Sequence, residues 1–214
     1  MTDACHFWMN WSINLVVAIG TVGAVIVALF GSGIQARLFP PKLVLTIDNP
    51  RGDATPVTVT APNGESRREQ ARYYRLRVSN SKRWTKATQV RVQLLRLEEP
   101  GPDGGWQLEW AGQVPLRWTH QEIVPLEQTI GPNATCDLCS VVKDKWLELH
   151  PIILPANLAD LARRRQPAYM RISVQVTSSE VDSDIRQFQI SSDGQWKDGE
   201  VEMAQHLVVT TLPS

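Results

Sequence analysis

Hydrophobic and polar residues alternate along most of this chain, and one stretch near the N-terminus breaks the rule. From Ile13 to Phe30 the residues are uncharged and mostly apolar without interruption. At about 1.5 Å per residue, a helix of that length spans roughly 27 Å, close to the hydrocarbon thickness of a bilayer. The uncharged stretch extends from Phe7 to Ala36, with Trp8 and Trp11 at the end where amphipathic rings favour the membrane interface. The competing reading, a cleaved signal peptide, needs a basic leading segment, a short apolar core and a small-x-small cleavage site. Here the preceding tail carries Asp3 and no Lys or Arg, and Ile34-Gln35-Ala36 is a poor cleavage site. The pattern predicts a tail over 1–12, a transmembrane anchor over 13–36 and a separate domain over 37–214.

Phe39-Pro40-Pro41 ends the helical segment, because proline cannot continue it. Period-two patterns follow. Leu43, Leu45 and Ile47 share one face, and Val57 and Val59 mark a short strand. In Arg72 to Asn80 the clearest alternation puts Tyr74, Leu76 and Val78 inward and Arg75 and Arg77 outward. Val90, Val92 and Leu94 alternate with outward Arg91 and Gln93; Leu95 and Leu97 then shift parity, the signature of a β-bulge. Further strands are predicted at Trp106 to Trp110, Val114 to Trp118, Ile123 to Leu126, Leu138 to Val142, Tyr169 to Val176, Ile185 to Ile190 and His206 to Leu212. Turn clusters punctuate them, Asp48 to Asp53 and Pro100 to Gly105 among them. One helix is predicted, capped by Asn157 and running from Leu158 to Arg165, with Arg163 to Arg165 suiting its C-terminal dipole. Short strands with a single helix predict a mainly β domain, an antiparallel β-sandwich or barrel.

The segments Leu76-Arg77-Val78-Ser79-Asn80 and Ala87-Thr88-Gln89-Val90-Arg91-Val92 carry a resemblance. A strand ends in Val-x-Asn, a turn follows, and a small residue precedes a Val-x-Val strand. This resembles prokaryotic immunoglobulin-like, CARDB-type adhesion and cell-surface modules, with Ser81-Lys82-Arg83-Trp84 in place of their usual Asn-Thr-Gly turn. The layout of one N-terminal anchor followed by Pro-Lys-Leu-Val-Leu resembles bacterial single-pass membrane proteins. The resemblance implies an immunoglobulin-like β-sandwich, and it carries no activity or catalytic residues over to this chain.

Charge then orients the anchor. Arg37, Lys42 and Arg51 follow the apolar run, so the positive-inside bias puts the C-terminal domain in the cytoplasm. Twenty-two basic residues balance 22 acidic ones, which argues against a nucleic-acid partner. Cys136 and Cys139 form a lone C-x-x-C, half of a structural zinc site, with only His120 and His150 as further ligand candidates and neither in a paired spacing. Buried thiols are the simpler expectation, and no cofactor motif is present. His206 reads as a half-buried strand residue. Arg51-Gly52-Asp53 and Gly101 to Gly105 read as turns, the latter without the helix that an anion site needs.

Six tryptophans follow residue 80, and Arg83-Trp84, in a predicted loop, is the candidate partner-binding pair. Gly20, Ala24 and Ala28 recur every four residues and form a small-residue stripe suited to helix association and a homo-oligomer. The expectation is a non-catalytic module binding a protein or ligand at the cytoplasmic face of a bacterial inner membrane. The runners-up are an envelope-facing adhesion or assembly module and a small metal-dependent or hydrolytic enzyme.

Overall fold

Two consecutive prolines, Pro40 and Pro41, stand where the chain divides into two units, Met1–Pro40 and Pro41–Ser214. The computed structural model describes residues 11, 15–28, 31, 38–60, 64–82, 85–119, 125–143 and 145–213. In the first unit, residues 15–28 form helix α1. Its side chains are exposed, and the Thr21 hydroxyl is satisfied within the helix by donating to the Val17 carbonyl at 2.8 Å. Among the described residues no helix is long and apolar enough to cross a membrane.

The second unit is mainly β, as its alternation predicts: among the described residues it holds two antiparallel sheets and two short helices. In chain order its elements begin with β1 (Leu43–Ile47), β2 (Asp53–Thr60), β3 (Ser66–Asn80), β4 (Ala87–Pro100), β5 (Trp106–Pro115), β6 (Gln128–Ile130), β7 (Asn133–Val142) and β8 (Trp146–Leu149). Helix α2 (Ala156–Ala162), β9 (Arg163–Arg165), β10 (Ala168–Thr177), β11 (Arg186–Ser192), helix α3 (Glu200–His206) and β12 (Leu207–Thr211) complete it. Sheet one runs β1-β3-β7-β8-β9, with β2 sharing the β3 edge that β1 also uses. Sheet two runs β12-β11-β10-β4-β5, with β6 on β4. After β5 the chain changes sheets. Leu116 still donates to the Val92 carbonyl of β4, but Trp118 bridges Cys136 of β7.

The inward residues of both sheets form one core. Tyr74, Leu76, Val78, Val90 and Val92 are fully buried there, and Arg77 and Arg91 are exposed, as alternation requires. The parity shift at Leu95 is real: β10 pairs Ser173 with Arg96 and Val174 with Leu94, so Leu95 is skipped. Polar groups also tie the sheets together. The buried Tyr74 hydroxyl donates to the Leu207 carbonyl at 3.1 Å. Arg72, also fully buried, donates to the carbonyls of Arg51, Gly52 and Asp198. Gly52 permits this close packing: its φ is +68°, and a Cβ there would lie 2.8 Å from Arg72 Cγ.

Several expectations change. The predicted helix stops at Ala162, and Arg163–Arg165 is a strand paired with β8. The guanidinium of Arg163 bonds Glu148 at 2.7 Å and lies over the Trp146 ring, contacts that a helical course would forfeit. Asn157 is not the cap, for Pro155 precedes α2 without a side-chain cap; Asn157 accepts the Trp110 indole N–H at 3.3 Å instead. The single predicted helix has a companion in α3, which ends at His206, so His206 is helical rather than in a strand. Its Nδ1 lies 2.7 Å from Asp193 Oδ2 across the intervening loop. Residues 123–124 of the predicted strand at Ile123 to Leu126 lie outside the described residues, and the strand found nearby is β6.

The register has an energetic consequence. Leu76→Ala should cost about 2–5 kcal/mol, as truncation of a buried leucine does. Arg77→Ala should cost under about 1 kcal/mol as a surface change. Chemical denaturation of the variants checks this, and equal losses would refute the facing assigned to β3.

Candidate functional site

The outer face of sheet one owes its composition to one extra residue. β3 and β7 pair Arg75 with Asp137 and Tyr74 with Cys139, so Leu138 is inserted without a partner of its own. Residues three apart on a regular strand point to opposite faces. Across this bulge they share a face. Cys136 and Cys139 therefore both belong to the core, and Asp137 and Ser140 both turn outward.

Cross-strand pairing builds rows on that outer face. One row runs Asp53, Tyr73, Ser140, Glu148 and Arg163, each directly opposite the next on β2, β3, β7, β8 and β9. In the adjacent row Arg75 bridges two carboxylates, with Nη1 2.6 Å from Asp53 Oδ2 and Nε 3.1 Å from Asp137 Oδ1. The Thr119 hydroxyl donates to the same Asp137 oxygen at 2.9 Å. Arg75 faces outward as predicted, yet its side chain is only 13% exposed because these partners cover it.

Beside them His150 Nε2 lies 2.8 Å from Ser140 Oγ, and the Tyr73 ring stacks on the imidazole at 5.4 Å and 15°. Burial lowers the pKa of His150 below its usual value, and the nearby Asp137 charge opposes that shift only in part. The ring is therefore neutral at pH 7. Burial raises the Tyr73 pKa as well, with Asp137 adding to it.

A cleft of about 600 Å³ opens where β8 meets the following loop and α2. Arg117, Glu148, His150, Leu154, Asp160 and Arg163 contribute to its wall. Ser140 does not line it and is only 2% exposed. A ligand in the cleft therefore meets an imidazole, two guanidinium groups and two carboxylates, a surface suited to recognition. A hydroxyl nucleophile has to reach the reacting carbonyl, and Ser140 lies under His150.

The candidate residues read from the sequence fall elsewhere. Arg83 and Trp84 lie outside the described residues. On either side of them, buried Asn80 accepts from the Lys42 and Lys82 amides and donates to the Thr85 carbonyl. Gly20, Ala24 and Ala28 lie exposed on α1, and nothing comes within 4 Å of a Cβ built at Gly20. Cys136 and Cys139 are free, fully buried thiols; burial pushes Cys139 up to about 12 and Cys136 higher still. His150 stands on the other face of the sheet from them, and His120 lies outside the described residues. Among the described residues no three His, Cys, Asp or Glu side chains are grouped to hold a metal. Trp110 and Trp118 are core residues, while Trp106 and Trp146 lie half-buried against arginines. No protein-family model matches the chain, and no curated protein matches it.

The depressed pKa of His150 sets a pH dependence. Between its folded value and the ordinary 6.5, the unfolded chain binds the proton and the folded chain does not. Stability should therefore fall as pH drops through about 6.5 and stop falling, on this account, below the folded pKa. His150→Gln should flatten that part of the profile while lowering stability overall. Denaturation midpoints at pH 7.5 and 5.5 check it, and an unchanged slope in the variant would refute the assignment.

Proposed function

We propose that this is a membrane-anchored, single-pass protein whose β-sandwich binds a protein or ligand, without catalysis, at the cytoplasmic surface of a bacterial inner membrane. The observation that carries the reading is the exposure of apolar side chains around α1. Val16, Ile19 and Val27 are 69%, 64% and 68% exposed. Water does not tolerate such a surface on an isolated helix, and lipid does. The described helix accounts for about 21 Å, and the uncharged sequence continues beyond both of its ends. The basic residues that follow the run favour a cytoplasmic domain.

The immunoglobulin-like reading draws support from the two antiparallel sheets and from Asn80, the Asn of the Val-x-Asn signature, whose side chain fixes the turn after β3. The outer face of sheet one and its cleft are the binding surface. The small-residue stripe through Gly20, Ala24 and Ala28 pairs two anchors, and the paired domains then bind with avidity. A hydrolytic reading draws on the contact between His150 and Ser140, and the burial of Ser140 weighs against it.

A reporter active only in the periplasm, fused after Ser214, should stay silent while the chain resists alkaline extraction from membranes. Periplasmic activity would reverse the orientation, and release at high pH would remove the anchor. In a membrane-helix association assay of residues 8–36, Gly20→Ile with Ala24→Ile should abolish a signal that Val22→Ile leaves intact. A wild-type signal no higher than a monomeric control would end the pairing.

A further inference from the structure

The chain is neutral overall, with 22 basic and 22 acidic residues, yet its charges are not evenly spread. At one edge of sheet one the start of β3, the β7–β8 turn and β9 bring together Arg67, Arg68, Lys143, Lys145, Arg163 and Arg165. Contacts make them a continuous surface. Arg67, Arg68, Lys143 and Lys145 rim one cleft of about 460 Å³. Lys145 Nζ lies 5.8 Å from the Trp146 ring, Arg163 lies over the same ring at 4.6 Å, and Arg165 pairs with Trp146 across the strands. Arg163 and Arg165 in turn help line a second cleft of about 410 Å³.

The counter-charges among the described residues are fewer. Glu69 is shared by Arg67 at 2.9 Å and Lys145 at 2.8 Å, and Lys145 holds its carboxyl below the usual range. Glu148 serves Arg163, and Asp198 stands 3.8 Å from Lys143. With Arg164 of the second cleft, which bonds Glu99 there, seven cations face four carboxylates. Asp144 and Glu65, adjacent by sequence, leave an excess of one.

We propose that this edge docks on anionic lipid headgroups, with Trp146 at the boundary between water and lipid. The proposal rests on the membrane-anchored reading and names a partner for the domain. Lysine and arginine side chains near a leaflet are attracted to its negative surface potential, and that attraction fades within a Debye length. An indole flanked by cations matches the chemistry of the headgroup layer, where one end of the ring is wet and the other apolar. The tether also matters. Six residues, Arg37 to Lys42, join the uncharged stretch to β1, and a chain of that length reaches about 22 Å at most. A weak surface attraction then acts at high effective concentration.

The test uses the full chain in lipid nanodiscs of phosphatidylcholine alone and of phosphatidylcholine with phosphatidylglycerol. Amide hydrogen exchange over residues 145–149 and 163–165 is the readout. Exchange should slow about fivefold in the anionic discs, and return to the phosphatidylcholine rate in 1 M salt, where the Debye length is about 3 Å. Lys143→Glu with Arg165→Glu should abolish the slowing. Lys86→Glu with Arg96→Glu, an equal charge change at exposed positions elsewhere on the domain, should preserve it. Equal exchange in both lipids overturns the proposal. So does slowing by a thymidine oligonucleotide in place of phosphatidylglycerol. Incorporation into phosphatidylcholine discs reports the anchor alone. If it fails, the anchored reading falls by itself, and flotation of the same chain with phosphatidylglycerol vesicles decides the docking. Binding that the Lys143/Arg165 reversal removes supports it, and no binding refutes it.

Discussion

Pairing between β3 and β7 slips by one residue at Leu138, and the chemistry of sheet one follows from that slip. β7 has β3 on one side and β8, with the crossing segment at Trp118, on the other, so both of its edges are paired along much of its length. Without the inserted residue, alternation would send Cys136 and Cys139 to opposite faces, and Asp137 and Ser140 likewise. With it, the thiols join the core beside Leu76 and Tyr74, and the carboxylate and hydroxyl reach the outer face beside Arg75 and Tyr73. His150 fits the same irregularity, since its amide donates to the Leu138 carbonyl at 3.2 Å and its ring closes over Ser140.

The strands were legible where one face is buried and the other wet. β3 and β4 alternate cleanly, and even the Leu95 bulge announced itself, because two leucines arrived at the wrong parity. The bulge at Leu138 left no such mark. Asp137 and Ser140 are both polar and both partnered, and the residues around them are buried on either face, so hydrophobicity alone could not show which way each points. The Tyr73, Ser140 and His150 cluster was missed for that reason. Arg163 to Arg165 misled in a different way. Three basic residues after an apolar periodicity suit a helix end, and only the neighbouring β8 strand, with Trp146 and Glu148 waiting, turns them into an edge strand. Helix α3 was hidden by its length, a seven-residue element with one buried residue, Met203, and thus almost no period to read.

Burial separates the two faces of sheet one by role. Inside, polar groups serve the fold: the Tyr74 hydroxyl and the Arg72 guanidinium satisfy carbonyls that link β3 to the loop before α3 and to β12. An arginine bonded to carbonyls alone is a costly choice for a core, and Gly52, with no side chain to obstruct it, makes the fit possible. Outside, the rows of paired charges, the neutral imidazole and the cleft beside α2 form a surface of varied chemistry, and the cations at its β9 edge give it polarity. A domain built in this way presents its groups from a paired sheet, and in the function proposed above the apolar helix on the same chain serves as its anchor.

The register of β3 against β7 is the point on which this account turns, and backbone proton contacts across the two strands measure it directly by NMR. The account predicts Tyr74 opposite Cys139 and Arg75 opposite Asp137, with Leu138 lacking a partner on β3. Continuous pairing, with Tyr74 opposite Leu138, would send Cys139 outward and Ser140 into the core, and would contradict it.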